Sequence, residues 1–422
     1  MRINSIISSS IGNIIEWYDF GLFAMFSPIF SEIFFPQKNM QTALMETFGI
    51  FAIGFLCRPI GALFFGYFGD RKGRAKTVRL SILMISIPTL LIGFLPSYAS
   101  IGMLAPIFLF FIRIWQGISI GGEYSGSIIY LGELAPPKHK SLLTSLPATG
   151  ANLGILLAML VVGYFSHLFD DAMFKVWGWR IPYIISGLFS LLIYLTRLKL
   201  EETPAFLEMK KKHLIKKNPI VAVFKNHRFS FLRIIGLACM GSTFYYFCFM
   251  YLPIILNQHL HYTLSQMAHL EMGSMMAMIV LVPLAGYLND RIGRYRMLLF
   301  NAVLISAIIL PGLHYLYANT FLSSMVVLIV FTVASALEQG TTPAVLVENF
   351  PVEERYTGIS LAYNIVNGFF GGTVPLVCAW LVVYTQSKSA PGIYVTLFAG
   401  ITLVFAGQLF LERLFIKHKT RL

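Results

Sequence analysis

Twelve stretches of the chain are apolar runs with few charges, separated by short polar turns. They fall near residues 10–35, 42–68, 77–95, 102–131, 142–167 and 180–198, then near 229–256, 263–288, 297–317, 321–345, 356–384 and 389–413. Several are long enough to cross a hydrocarbon core of roughly 30 Å, which takes about 20 helical residues. Continuous runs predict helices, and the lack of strand alternation excludes a transmembrane β-barrel. The one long polar stretch is 199–228, rich in Lys and Glu and carrying Pro204 and Pro219, and it marks the boundary between two sets of six runs. The predicted domains are an N-terminal six-helix bundle over 1–198, a linker over 199–228, and a C-terminal six-helix bundle over 229–422 with a short basic tail, Lys417 to Leu422.

The halves repeat each other. Gly66-Tyr67-Phe68-Gly69-Asp70-Arg71-Lys72-Gly73-Arg74 returns 220 residues later as Gly286-Tyr287-Leu288-Asn289-Asp290-Arg291-Ile292-Gly293-Arg294. At an offset of 215, Glu123 aligns with Glu338, Leu131 with Leu346, Glu133 with Glu348, Pro136 with Pro351, Lys140 with Arg355 and Ser145 with Ser360. Six matches in one register imply a six-plus-six repeat. Such repeats place a substrate site near the bilayer midplane and work by rocking one half against the other.

Composition narrows the class. The 422 residues are 57% hydrophobic and 12% charged, with a mean hydropathy of +0.72, too few charges to coat a soluble protein of this size. The net charge of +13 invites a nucleic-acid reading, but its distribution argues against one. Twenty-five of the 32 Lys and Arg fall in the loops on one side, linker and tail included, against Lys38, Lys175, Arg180 and Lys388 on the other. That bias is the positive-inside rule and predicts both termini in the cytoplasm. Arg58 and Arg113 fall inside the membrane, and Arg2 lies at the terminus. Cys57, Cys239, Cys248 and Cys378 sit in apolar runs without metal-ligand spacing. The histidines His167, His259, His261, His269 and His314 are scattered, and there is no Gly-rich Lys-Ser/Thr phosphate loop. No enzyme, metal or cofactor is expected. The N-terminus lacks the apolar core of a cleavable signal.

Charges inside the runs are the candidate chemistry. A charge at the centre of a membrane helix costs about 2.5–3.5 kcal/mol on insertion scales, so these groups are expected to face one another or a wet cavity. Glu16 and Asp19 lie three residues apart on one face of helix 1. Asp19 lies about 11 residues, roughly 17 Å, into its helix. Arg58 lies at a matching depth in helix 2, which predicts that Arg58 approaches Asp19 or Glu16. Burial disfavours a charged carboxylate and a nearby cation favours it, so a mobile cation can switch a proton on or off. Glu16 and Asp19 lead as proton carriers, with Glu123 next. Arg113 on helix 4 is the best candidate for holding a substrate carboxylate, through its planar fork; the other reading is a structural partner for a helix 1 acid. Tyr245, Tyr246 and Glu338 are the candidates for the C-terminal wall, the tyrosines offering π faces to a quaternary ammonium group. Gly117, Gly121, Gly122 and Gly126 leave one side of helix 4 bare, for close packing or a cavity.

The repeated loop motif resembles the signature of the major facilitator superfamily, between helices 2 and 3 and again between 8 and 9. The resemblance implies an all-α polytopic fold of 12 transmembrane helices in two pseudo-symmetric six-helix bundles. It implies that Asp70 faces the start of helix 11 near Tyr356, and Asp290 the start of helix 5 near Ser141. Arg71, Arg74, Arg291 and Arg294 are then placed to bridge to Glu133 and Glu348, holding one side shut. Gly12-Asn13-Ile14-Ile15-Glu16-Trp17-Tyr18-Asp19-Phe20, Arg58-Pro59-Ile60-Gly61-Ala62, Gln116-Gly117, Gly121-Gly122-Glu123-Tyr124, Trp177-Gly178-Trp179-Arg180-Ile181-Pro182 and Glu202-Thr203-Pro204-Ala205-Phe206 narrow it further. They resemble the metabolite–proton symporters of bacterial inner membranes, which import osmolytes such as proline and glycine betaine or acids such as 2-oxoglutarate, citrate and shikimate.

The expectation is proton-coupled uptake by alternating access, with a small-molecule substrate and protons as the working partners, in a monomer embedded in the bilayer and binding no nucleic acid. Because helix 5 offers no second cation, a zwitterion such as proline or betaine, or a monocarboxylate, is favoured over a dicarboxylate. The alternatives are proton-antiport efflux and a non-transporting nutrient receptor; a receptor normally needs an output domain, and no soluble segment is long enough.

Overall fold

A computed structural model describes residues 3–36, 39–258, 260–317 and 320–419. Arg2, Lys38, His259 and the last residues of the basic tail, from Thr420, lie outside the described residues. The first helix, α1, runs Ile3–Phe34. Eleven further helical stretches are long and apolar enough to cross a membrane: α2 Met40–Lys72, α3 Arg74–Phe94, α4 Leu104–Leu134, α5 Pro137–Leu168, α6 Phe174–Arg197, α7 Arg228–Asn257, α8 Ser265–Ile292, α9 Arg294–Leu316, α10 Phe321–Glu348, α11 Val352–Thr385 and α12 Ala390–Glu412. In α1, Glu16, Asp19 and Glu32 lower the hydropathy. Large apolar side chains such as Phe64, Leu91, Phe189, Val280, Phe300 and Leu376 are exposed along these helices. A helix satisfies its own backbone hydrogen bonds, so this surface can face lipid at no polar cost. The linker is not extended: it forms two short helices, Pro204–Lys211 and Pro219–Asn226, each opened by its proline.

The described chain packs as two compact units. Unit 1 gathers Met1–Leu134, Gly150–Val221 and Val352–Asn364; unit 2 gathers Ala135–Thr149, Ala222–Pro351 and Ile365–Leu422. The first parts of α5 and α11 therefore pack in different units from the remainders of those helices.

In unit 1, α1 lays an aromatic face of Phe23, Phe26, Phe30 and Phe34 on α6. Phe30 meets Trp179 edge-on with ring centroids 5.0 Å apart, and all are fully buried. Next to Trp179, Arg180 donates to the carbonyls of Gly93 (3.3 Å) and Leu95 (2.5 Å), satisfying the end of α3. Helix α2 bends at Cys57, where Pro59 withholds an N–H from the ladder, and this bend carries Arg58. Helices α2 and α4 then cross through glycine. A Cβ on Gly61 would strike the backbone of Ile118, one on Gly117 the backbone of Gly54, and one on Gly121 the backbone of Arg58 and Ala62. The bare side of α4 is thus used for close helix packing, and Gly122 and Gly126 likewise admit the rings of Phe65 and Tyr356.

The motif turns have one geometry in both units. Gly73 (φ 113°) and Gly293 (φ 110°) join α2 to α3 and α8 to α9 in a conformation that a side chain resists. In unit 2, Thr263 and Thr320 cap the starts of α8 and α10 with reciprocal side-chain bonds from Gln266 and Ser323. Helices α7 and α11 each contain a π-turn, Phe247–Tyr251 and Val366–Gly371, and Ser242 donates to Asn367 Oδ1 at 3.2 Å between them.

Forcing a side chain into the α2–α4 crossing should be felt at once. Gly61→Val is expected to lower the midpoint of thermal unfolding in detergent, an overpacking penalty of about 1–3 kcal/mol or more. Gly49→Ala on the same helix, where a Cβ meets nothing within 4 Å, should leave it unchanged; a matching loss in both would mean that the crossing is loosely packed.

Candidate functional site

The charged residues of α1, α2, α4 and α6 come together in the interior of unit 1, with Ser81 and Thr89 of α3 bonded to them. Asp19 is fully buried and fully engaged. Its Oδ2 accepts from Arg113 Nη1 at 3.0 Å and Gln116 Nε2 at 3.0 Å, and its Oδ1 accepts from Thr89 at 3.1 Å. Gln116 closes the set, accepting from Arg113 at 2.7 Å and donating to Thr89 at 2.9 Å. The Arg113 guanidinium also sits 3.7 Å over the Phe23 ring. Of the two carboxylates expected near Arg58, Asp19 is held by Arg113 instead, and Glu16 is the one on which Arg58 acts. Depth along the helices matched, but the bend at Cys57 turns Arg58 onto the rings of Phe55 (4.4 Å), Phe20 (5.2 Å) and Trp17 (5.6 Å).

Glu16 is different. It is 1% exposed, yet neither carboxylate oxygen makes a hydrogen bond. Arg58 is its strongest charged neighbour, followed by Glu123 and Arg197. Arg58, 3% exposed, likewise has Nε and Nη2 without a hydrogen bond. The two groups act on each other through charge while retaining capacity for further bonds.

Glu123 is not free to serve a substrate. Arg197 holds it with two hydrogen bonds, Nη2 to Oε1 at 2.6 Å and Nη1 to Oε2 at 2.8 Å, and Ser81 adds a third at 2.5 Å. Arg197 is fully buried and also donates to the carbonyls of Ser8, Ser9 and Val78. Gly12 permits this, since a Cβ there would collide with both members of the pair. Sequence reasoning counted Arg197 among the loop cations and missed it. It stands at the end of an apolar run, and its spacing carries no sign that the side chain turns inward.

At the motif end, two matching clusters hold helix starts. In unit 1, Asp70 accepts from the backbone N–H of Tyr356 (3.1 Å) and Thr357 (2.9 Å), the positive end of α11. Glu133 lies between Arg74 (3.3 Å) and Arg355 (3.0 Å) and accepts from Thr203 at 2.6 Å. Arg74 also donates to the Val352 carbonyl at 2.6 Å, and Glu202 accepts from the N–H groups of Arg74 and Ala75. In unit 2, Asp290 accepts from Ser141 (2.9 Å) and Leu142 (3.0 Å) N–H at the start of α5. Arg294 bonds Glu348, Asp290 at 3.0 Å and the Pro137 carbonyl at 2.8 Å, and Lys140 approaches Glu348 at 3.5 Å. Arg71 and Arg291 are not brought to these carboxylates, contrary to expectation. Each turns back over the tyrosine four residues earlier, Tyr67 and Tyr287, where i and i+4 meet. Glu202, Thr203 and Arg355 join the clusters without having been singled out as site residues.

In unit 2, Glu338 is 7% exposed and packs on Gly241, whose missing side chain makes room for it. Among the described residues it has no ion pair. Tyr246 is buried against Gly371 and meets Tyr245 edge-on at 6.0 Å.

Charges buried against one another within the membrane-crossing helices of unit 1, and motif clusters that recur in both units, fit a secondary transporter built from two repeated halves. A profile of the Major Facilitator Superfamily matches residues 10–375, and the chain belongs to that family. It is a membrane transporter and not an enzyme. The chain is 32% identical over 413 residues to the proline/betaine transporter of Salmonella typhimurium, covering 95% of this chain and 82% of that one. It is 33% identical over 434 residues to the inner membrane metabolite transport protein YhjE of Escherichia coli, covering 100% and 95%. The alpha-ketoglutarate permease of Escherichia coli is 32% identical over 388 residues, covering 89% and 86%. Among solved structures, the proton:xylose symporter XylE superposes with a TM-score of 0.78 at 18% identity, over 97% of this chain and 95% of that one. That likeness shows the major facilitator fold.

The Glu123–Arg197 pair should behave as one unit. Arg197→Met or Glu123→Leu alone leaves a buried charge uncompensated and is expected to destabilise by about 3–5 kcal/mol. The double replacement should recover most of the loss. Additive effects in a double-mutant cycle of thermal stability would show that the two groups do not depend on each other.

Proposed function

We propose that this protein imports a small polar metabolite together with a proton, by alternating access. The observation that carries the reading is the Glu16–Arg58 arrangement: two buried, opposite charges near each other, with hydrogen-bonding capacity left over on both. Arg58 and Arg113 both keep Nε and Nη2 without a hydrogen bond, and Arg58 is assigned the substrate carboxylate because Arg113 is the one already ion-paired, with Asp19. The rings of Trp17, Phe20 and Phe55 keep water from that guanidinium and strengthen its pull on an anion. Glu16 takes the proton, because it can do so without breaking a hydrogen bond, whereas Asp19 would have to give up its bonds from Arg113, Gln116 and Thr89. A carboxylate arriving at Arg58 removes the cation that favours charged Glu16. Substrate at Arg58 and a proton at Glu16 therefore favour each other, and by linkage each raises the affinity for the other.

The substrate is a small zwitterion or monocarboxylate, proline or glycine betaine before 2-oxoglutarate. The Asp70 and Asp290 clusters are the gating elements: each holds a helix start by two N–H bonds that open together when the helix moves. The protein is placed in a bacterial inner membrane as a monomer surrounded by lipid, with both termini in the cytoplasm, following the one-sided bias of Lys and Arg.

Cells or proteoliposomes holding the protein should be offered labelled proline, glycine betaine, 2-oxoglutarate, citrate and shikimate. Accumulation of one of them, abolished by a protonophore, is expected; accumulation that survives collapse of the gradient rejects symport. Glu16→Gln should lose gradient-driven accumulation, by about 100-fold or more if it is the proton carrier, while exchange of labelled for unlabelled substrate continues. Arg58→Lys should weaken exchange itself, because an ammonium lacks the planar fork.

A further inference from the structure

Glu16 is the first rung of a ladder. On α1, Ser9, Asn13 and Glu16 follow at spacings of four and three residues, so they share one helix face. All three are buried, at 0%, 0% and 1% exposure. The Ser9 hydroxyl, both ends of the Asn13 amide and both Glu16 oxygens make no hydrogen bond within the protein. Buried polar groups are ordinarily paired, and one left unpaired costs about 1–3 kcal/mol. Three in a row on one face make a polar channel wall rather than an isolated defect. Gly150 of α5 packs close beside this face, where a Cβ would meet the Ser10 carbonyl oxygen at 2.9 Å, Ile14 Cγ1 at 3.3 Å and Asn13 Cβ at 3.7 Å. At the far end, the Ser9 carbonyl accepts from Arg197 at 3.1 Å and from Ser127 at 3.0 Å. The backbone there is fixed while the Ser9 hydroxyl stays available. The ladder covers about 10 Å of helix at 1.5 Å per residue, from Glu16 toward the N-terminal end of α1.

We propose that Ser9 and Asn13 line a buried file of water through which Glu16 exchanges its proton with the solution at the N-terminal end of α1. A file needs alternating donors and acceptors within an otherwise apolar wall, and a hydroxyl and an amide supply both. The Glu16 carboxyl passes its proton to the nearest water, each water passes one onward, and the last releases one to solvent; no other bond changes. The charged groups that act on Glu16 are Arg58 on α2, Glu123 on α4 and Arg197 on α6. Glu123 and Arg197 neutralise each other beside the path, so the travelling proton meets no uncompensated cation there. Ser9 and Asn13 are positioning residues, acting through water on Glu16.

This inference rests on Glu16 as proton carrier, and Glu16→Gln tests that reading separately, by loss of accumulation with exchange kept. In reconstituted protein, Asn13→Leu fills the file with an apolar side chain. It should reduce accumulation driven by a pH gradient by about tenfold or more, in the range expected when a proton relay is broken. Substrate exchange at equal pH should stay within about twofold, and Asn13→Thr, which keeps a hydroxyl, should restore most of the accumulation. Gradient-driven uptake by the wild type should also be slowed in deuterium oxide, and more so in Ser9→Ala. Exchange doubles as the folding control, and if Asn13→Leu does not fold, Ser9→Ala carries the test because it removes only a hydroxyl. A parallel fall of exchange and accumulation, or no change in either, overturns the water file even where Glu16→Gln behaves as described.

Discussion

A buried charge must be answered, and this chain answers its buried charges in pairs. Asp19 with Arg113 and Glu123 with Arg197 tie α1, α3, α4 and α6 together through side chains that no water reaches. Two ions taken from water lose several kcal/mol of hydration each, and only near-ideal geometry with further hydrogen bonds repays it. Further hydrogen bonds support both pairs: Gln116 and Thr89 complete the Asp19 carboxylate, while Arg113 keeps Nε and Nη2 unbonded, and Ser81 and three backbone carbonyls complete the second pair. Small residues make it possible. Gly12 admits the Glu123–Arg197 pair, and the glycines of α2 and α4 bring those two helix backbones into contact.

The same principle, moved to the helix ends, gives the repeated motif its form. Asp70 and Asp290 each take two N–H groups from the start of a helix that belongs to the other half of the sequence. Arg74 with Arg355, and Arg294 with Lys140, then close on Glu133 and Glu348. Residues 215 apart, Lys140 and Arg355, do one job in two places, as the duplicated sequence implies. Contacts of this type are specific in direction and hold only while helix start and carboxylate are aligned. A small rotation breaks both N–H bonds at once. That makes them suitable for a gate in a way that apolar packing is not.

Much of this was legible in the chain. The apolar runs showed the helices, the 220-residue offset showed the duplication, and helix 1 announced its acids. The ion-pair assignments were not legible, because a sequence gives depth along a helix but not rotation about it. Arg58 and Asp19 share a depth, yet the bend before Pro59 swings Arg58 onto aromatic rings. Arg71 and Arg74 look equivalent in the motif. The left-handed turn at Gly73 aims Arg74 at Glu133, while Arg71 falls back on Tyr67. Arg197 looked like a loop cation because it ends its run, and only the folded bundle turns it inward. The linker helices were hidden by a composition that is polar overall although each buries a short apolar edge, Phe206 and Met209 in the first.

The exceptions to pairing are what point to transport. With Asp19 and Glu123 answered in this way, leaving the Glu16 carboxylate, two nitrogens each of Arg58 and Arg113, the Asn13 amide and the Ser9 hydroxyl without hydrogen bonds is costly, several kcal/mol together by ordinary reckoning. Folding alone gives no return on that cost, since apolar residues of the same volume would pack as well. A carrier does gain from it. Groups already saturated by the protein have nothing to offer a solute, and groups fully exposed to water lose their strength to screening. The useful state lies between these: buried, charged or polar, and incompletely bonded, supported by neighbours that are saturated and therefore rigid. The closed networks around Asp19 and Glu123 are that support, and the open ladder on α1 is what they support.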